Sequence, residues 1–85
     1  MTHTILIVDD EAKLLDVLGG ILGGLGYRTL TADSGAAALD LLDREFIDLV
    51  LTDLRMPAMS GQELLTEVRR RYPALRAVST RSLPP

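Results

Sequence analysis

The stretch DLVLTDLRMPAMSG, Asp48 to Gly61, decides the fold. It opens as an apolar run, Leu49, Val50 and Leu51, passes through Thr52, and sets the Asp53 carboxylate where the run breaks. A polar, Pro-containing segment follows at once. Because IDLVLTD is apolar at nearly every position, it reads as a parallel strand covered on both faces, not as a half-exposed antiparallel one. Such a strand needs parallel neighbours and two layers of helix, and the flanking sequence supplies candidates for both.

Upstream, TILIVDD is a short β-branched-rich run ending in Asp9 and Asp10, and it reads as a strand. EAKLLDVLGGILGGLGY then places Leu14, Leu18, Ile21 and Leu25 at helical spacing, with Leu15 and Leu22 beside them and Gly26 as the stop. YRTLTA is a second strand. DSGAAALDLLDREF opens with Asp33 or Ser34 as N-cap and puts Ala38, Leu39 and Leu42 on one face. Downstream, Ser60 and Glu63 form an S-x-x-E capping box for a helix whose face is Leu64, Val68 and Tyr72, with Pro73 at its end. LRAVST begins a fourth strand, and RSLPP closes the sequence.

The order β-α-β-α-β-α, with part of a further strand, predicts a parallel sheet with helices on its faces. Sites in such open sheets form beyond the carboxyl ends of the strands. Asp9, Asp10 and Asp53 all fall there, so they are expected to gather in one cleft.

Eighty-five residues make one small domain, 1–85, which buries about 60–65% of its unfolded surface. The 47% apolar content predicts a globular fold, and the absence of cysteine excludes disulfides and thiolate metal sites. The longest uncharged stretch, Val17 to Tyr27, falls short of the roughly 20 residues that span a bilayer, and Ile5 to Val8 is too short for a signal-peptide core. The expectation is a soluble, cytoplasmic chain with no membrane partner.

The net charge of −3 hides an asymmetry. Residues 1–54 carry ten acids against Lys13, Arg28 and Arg44, and residues 55–85 carry two acids against six arginines. The RRR run, 69–71, lies at a helix end without aromatic interleaving beyond Tyr72. Cations there complement the helix dipole, so no direct nucleic-acid binding is expected. Gly19, Gly20, Gly23 and Gly24 lie within a helix, not between strand and helix, and lack the spacing of a phosphate-binding loop. They read as small residues that permit close packing and leave the helix's second half soft. His3, the only histidine, reads as a surface residue.

Three strand-end carboxylates repel one another unless a cation compensates them, and Mg²⁺ takes oxygen donors of this kind. The remaining carboxylate can act as a nucleophile toward phosphorus. The competing reading is that Asp9 and Asp10 only cap the first helix.

ILIVDDE and LVLTDLRMPAMSG together resemble the receiver domain of two-component response regulators. The resemblance lies in the acidic pair at one strand end and in D-x-x-M-P-x-M-x-G at another, and it covers about residues 4–75. Within the family, the chain closely resembles receivers attached to sigma-54-dependent activators. The resemblance implies a flavodoxin-like (CheY-like) doubly wound sheet in three layers, α/β/α, here incomplete with strands 1–3 and part of a fourth. It implies that Asp53 is the phosphoacceptor. Asp9 and Asp10 would hold Mg²⁺ together with Asp53 and the backbone carbonyl of Arg55, while Met56, Pro57 and Gly61 shape the loop. A sensor histidine kinase would be the phosphodonor, and the chain itself a signalling module, not an enzyme.

The chain departs from the family pattern at residues 76–85. Receivers of this type have five strands, a Ser or Thr ending the fourth and a Lys ending the fifth. Ser79 and Thr80 are the candidates for the hydroxyl. Lys13, the only lysine, stands in the first helix, so the phosphate-pairing Lys has no counterpart. The tail reads as a truncation or a shifted frame, and the open sheet edge as an invitation to strand exchange in a homodimer. Two other readings remain. One is a non-phosphorylated interaction or decoy domain. The other is a haloacid-dehalogenase-type phosphohydrolase, which lacks its second acid because Arg55 stands two residues after Asp53.

Overall fold

A computed structural model describes residues 2–53 and 59–79. Its elements are β1 (Thr4–Val8), α1 (Ala12–Gly24), β2 (Arg28–Ala32), α2 (Gly35–Arg44), β3 (Leu49–Thr52), α3 (Gly61–Arg71) and β4 (Arg76–Ser79). The strands form one parallel sheet in the order β2-β1-β3-β4. The connection from β1 to β2 runs one way across the sheet, and the connection from β2 to β3 returns past β1. Right-handed crossovers therefore put α1 on one face and α2 and α3 on the other. This is the expected flavodoxin-like three-layer arrangement, with the fourth strand paired in register over Arg76–Ser79.

The strands alternate between the two layers. Ile5, Ile7 and Leu51 pack with Leu15, Leu18 and Leu22 of α1. Leu6, Val8 and Val50 pack with Ala38, Leu39 and Leu42 of α2 and with Leu64 and Val68 of α3. Leu6, Ile7 and Val50 are completely buried, as expected for central strands covered on both faces. Each such side chain contributes about 1.5–3 kcal/mol by leaving water.

Two helices start as the sequence predicts. Ser34 Oγ accepts the Ala37 N–H at 3.1 Å, and so is the N-cap of α2. Ser60 Oγ accepts the Glu63 N–H at 3.1 Å while Glu63 reaches back, completing the capping box of α3. At the far end of α3, Arg70 and Arg71 each pair with Glu67 at 2.9 Å, and the Tyr72 hydroxyl donates to Asp43 of α2. The arginine run is thus partly engaged in ion pairs on its own helix.

Helix α1 differs from expectation in two ways. Its buried side is Leu15, flanked by the partly buried Leu18 and Leu22, whereas Ile21 and Leu25 are 56% and 70% exposed. The cause is the near-continuous apolar sequence, in which several faces satisfy helical spacing and contact with β1 and β2 selects one. Second, the glycines do not serve close packing. A Cβ at Gly20, Gly23 or Gly24 would meet nothing within 4 Å, and one at Gly19 would reach only ordinary contact with Thr29. Gly26, at φ of +98°, does end the helix, because that left-handed conformation favours glycine. Among the described residues, no helix is long and apolar enough to cross a membrane.

Candidate functional site

The topology reverses direction between β1 and β3, and the carboxyl ends of these two strands carry the acids. Asp9 and Asp10 follow Val8, and Asp53 follows Thr52, its register partner on β3. Two main-chain bonds fix the rim. The Asp9 N–H donates to the Ala32 carbonyl at the end of β2, and the Asp53 N–H donates to the Val8 carbonyl, each at 3.1 Å. As a result, carboxylate oxygens of Asp9, Asp10 and Asp53 all lie within 4.8 Å of one another.

Burial separates the three. Asp9 is 4% exposed, Asp53 is half-buried and Asp10 is exposed. Burial raises the pKa of Asp9, and the nearby charges of Asp53 and Asp10 raise it further. The Glu11 N–H, donated to the Asp9 carboxylate at 2.8 Å, opposes this. Asp9 therefore does assist the start of α1, where Glu11 offers no side-chain cap, but that role leaves the crowding of three acids unexplained. The donor set fits a hard divalent cation, which takes carboxylate oxygens and would offset their mutual repulsion.

Ser79 ends β4, is 3% exposed, and stands opposite Thr52 in the β3–β4 ladder. It lies on the same rim of the sheet as Asp53, lining a polar groove with Ser60, Glu63, Thr66 and Arg69 of the α3 region. Lys13 is exposed in the first turn of α1, and Gly61 is buried at the first position of α3. Arg55, Met56, Pro57 and Thr80 lie outside the described residues.

Three features escaped the sequence reading. Thr52 is fully buried and its hydroxyl donates to the Asp53 carbonyl at 3.0 Å, so it helps hold the acid-bearing peptide. The Ala32 carbonyl, which fixes Asp9, carries no side-chain signal. Met59 packs against Gly35 across 24 residues of sequence, a contact that only the folded chain reveals.

An open parallel sheet with three carboxylates at its switch point defines a doubly wound α/β module with an acidic strand-end site. Comparison with known proteins gives the class a family. The response regulator receiver domain family matches residues 5–80. Over 71 residues the chain is 45% identical to the transcriptional regulatory protein GlrR of Escherichia coli (strain K12), covering 84% of this chain and 16% of that protein. It superposes on a CheY-like response regulator receiver domain protein of Methanospirillum hungatei JF-1 with a TM-score of 0.90 and 33% identity, over 93% of this chain and 63% of the other. The response regulator TrrA of Thermotoga maritima, solved with Mg²⁺-BeF, gives a TM-score of 0.87 and 34% identity over 89% and 66% of the two chains. The chain belongs to the response regulator receiver domain family of two-component signalling. It spans about a sixth of the length of GlrR.

Proposed function

We propose that this domain, residues 1–85, accepts a phosphoryl group on Asp53 from the phosphohistidine of a sensor histidine kinase, in a Mg²⁺-dependent reaction. The observation that carries the reading is the gathering of the Asp9, Asp10 and Asp53 carboxylates within 4.8 Å at the strand-end rim. Family membership supports it, as does the TrrA structure with Mg²⁺-BeF, a cation bound in a similar fold.

In the reaction, an Asp53 carboxylate oxygen attacks phosphorus. A P–O bond forms, the P–N bond to the donor imidazole breaks, and the imidazole leaves with the electron pair and takes up a proton. Asp53 is the position that matches the family's phosphoacceptor, and it is partly open to solvent whereas Asp9 is buried. Asp9, Asp10, Asp53 and the Arg55 carbonyl would hold Mg²⁺, which supplies neutralisation of the charge on the transferring phosphoryl oxygens. The Asp9 N–H···Ala32 and Asp53 N–H···Val8 bonds hold the acids in place before the donor arrives. Ser79, or Thr80 beyond it, donates a hydroxyl hydrogen to the phosphoryl group.

The test is incubation with acetyl phosphate and Mg²⁺, read by intact mass. One phosphate on the wild type, lost with EDTA and absent from Asp53→Asn, is the expected result. Equal labelling of Asp53→Asn overturns the assignment. The reading places the module in the cytoplasm, where the phosphodonor domains of such kinases lie.

A second copy is the other partner we propose, at the outer edge of β4. Among the described residues β4 has one strand neighbour, β3. A groove of about 720 Å³ opens on each side of it, one against α3 and one bordered by Leu22, Leu49, Leu51 and Arg76. Light scattering of the 85-residue chain should give the mass of a dimer, and a monomer at every concentration overturns this.

A further inference from the structure

Gly35 is buried at the first position of α2, where helix geometry does not call for glycine. Its φ is not left-handed, unlike that of Gly26. Space explains it instead. A Cβ built on Gly35 would lie 2.5 Å from Met59 Sδ, 2.9 Å from its Cγ and 3.0 Å from its Cβ, where carbon atoms normally rest about 3.5–4.0 Å apart. The absent side chain is thus a cradle that the Met59 side chain fills. Met59 also packs against the core shared by α2 and α3.

The three distances determine what a side chain at Gly35 would do. Turning the Met59 thioether about its outer bonds moves Sδ, and turning χ1 moves Cγ. Neither moves Cβ, which follows the backbone. An added methyl at residue 35 therefore requires the main chain at residue 59 or at residue 35 to give by a few tenths of an ångström, beyond any change of side-chain rotamer.

The main chain at residue 59 closes the segment that leaves Asp53. The Asp53 N–H···Val8 bond fixes the segment's start, and Met59, followed by the Ser60 cap, fixes its end. The cradle is itself tied to the acids, because Gly35 follows Ala32 by three residues and the Ala32 carbonyl holds the Asp9 N–H.

We infer that Gly35 and Met59 act as positioning residues, a cradle and its occupant that fix where the chain leaving Asp53 enters α3, in support of cation binding and phosphorylation of Asp53. The inference rests on the phosphoacceptor reading for its readout, but its structural core can be measured without it. Neither residue belongs to the acidic cluster, and their effect passes along the chain that joins Met59 to Asp53.

The experiment compares wild type, Gly35→Ala, Met59→Ala, Met59→Leu and the double variant Gly35→Ala/Met59→Ala. Labelling by acetyl phosphate is followed across a Mg²⁺ titration, and urea unfolding is measured without Mg²⁺. Gly35→Ala is expected to slow labelling about tenfold or more and to raise the Mg²⁺ concentration for half-maximal rate, as lost support of a metal site does. Met59→Leu, of similar volume, should stay within about twofold of wild type. The double variant should label faster than Gly35→Ala alone, because truncation vacates most of the crowded space.

Gly35→Ala labelling at the wild-type rate and Mg²⁺ midpoint overturns the inference. So does independence of the two single losses in the double variant. If Gly35→Ala does not fold, Met59→Ala decides, since equal rates for it and wild type also overturn it. If wild type takes no phosphate, the phosphoacceptor reading fails, while coupling of the two residues in urea unfolding still upholds or refutes the cradle.

Discussion

Asp53 and Val8 are joined by a main-chain hydrogen bond of 3.1 Å, the Asp53 N–H donating to the Val8 carbonyl. This bond has consequences for charge. Val8 is the residue before Asp9, so the peptide carrying one acid is fastened directly to the strand that carries the others. Asp9 is fastened in turn to Ala32. The carboxylates cannot separate by moving their backbones, and their repulsion is built into the metal-free protein.

The first prediction follows from that repulsion. Asp9 has a pKa above the ordinary aspartate value, chiefly through burial and then through Asp53 and Asp10. A raised folded-state value means that the native protein binds more protons than the unfolded chain in the window above about pH 3.9. Stability from this group is therefore greatest below that window and falls as pH rises through it. Asp9→Asn keeps an oxygen for the Glu11 N–H and removes the charge. Without divalent cation at pH 7 it should raise stability by about 1 kcal/mol, the scale of one partly screened like-charge contact. It should also flatten the acid side of the pH–stability curve and abolish the rise in melting temperature expected of wild type with Mg²⁺. Urea unfolding at several pH values, with and without Mg²⁺, checks all three. A neutral-pH loss of stability would remove the repulsion argument.

The glycines of α1 give the second prediction. Gly20 is exposed in the body of the helix, and a Cβ there would meet nothing within 4 Å. Glycine in that setting disfavours the helix by about 0.8–1 kcal/mol relative to alanine. Gly20→Ala should stabilise the domain by about that amount and slow amide exchange from Gly20 to Leu25. The same change at Gly26 should destabilise, because its φ of +98° is strained for any residue with a Cβ. Opposite signs at two glycines six residues apart are the outcome to look for in denaturant midpoints.

Much of this fold was legible because local signals and tertiary demand agree. Val50 and Leu51 face opposite layers, and the uninterrupted apolar run around them announced a strand buried on both sides. Ser60 and Glu63 announced their helix because a capping box is a local device with a fixed spacing. The acidic cluster was legible through topology, since Asp9, Asp10 and Asp53 each end a strand run and parallel strands share one carboxyl edge. The rotation of α1 was not legible. With Leu14, Leu15, Val17, Leu18, Ile21 and Leu22 all apolar, periodicity fits more than one face, and only packing on β1 and β2 selects Leu15. The meeting of Gly35 and Met59 was hidden for a different reason. It joins two segments through a missing side chain, and the sequence shows no pattern for the absence of a Cβ.

The third prediction concerns the Ser60 cap beside that contact. Ser60 Oγ accepts the Glu63 N–H at 3.1 Å, so Ser60→Ala should cost about 1 kcal/mol, as loss of an N-cap commonly does. Ser34→Ala should cost a similar amount, since Ser34 caps α2 through the Ala37 N–H at 3.1 Å. The two caps differ in what lies next to them. Ser60 follows Met59 and closes the loop that leaves Asp53, whereas Ser34 precedes the cradle on a strand end already fixed by the Ala32–Asp9 bond. Loss of the Ser60 cap should therefore loosen the loop's far end and slow labelling of Asp53. Ser60→Asp, which also caps and adds a charge favourable at a helix N-terminus, should restore both stability and rate. Urea midpoints measured beside acetyl phosphate labelling rates separate the two effects. Equal stability losses are expected for both alanine variants, with the larger loss of rate at Ser60.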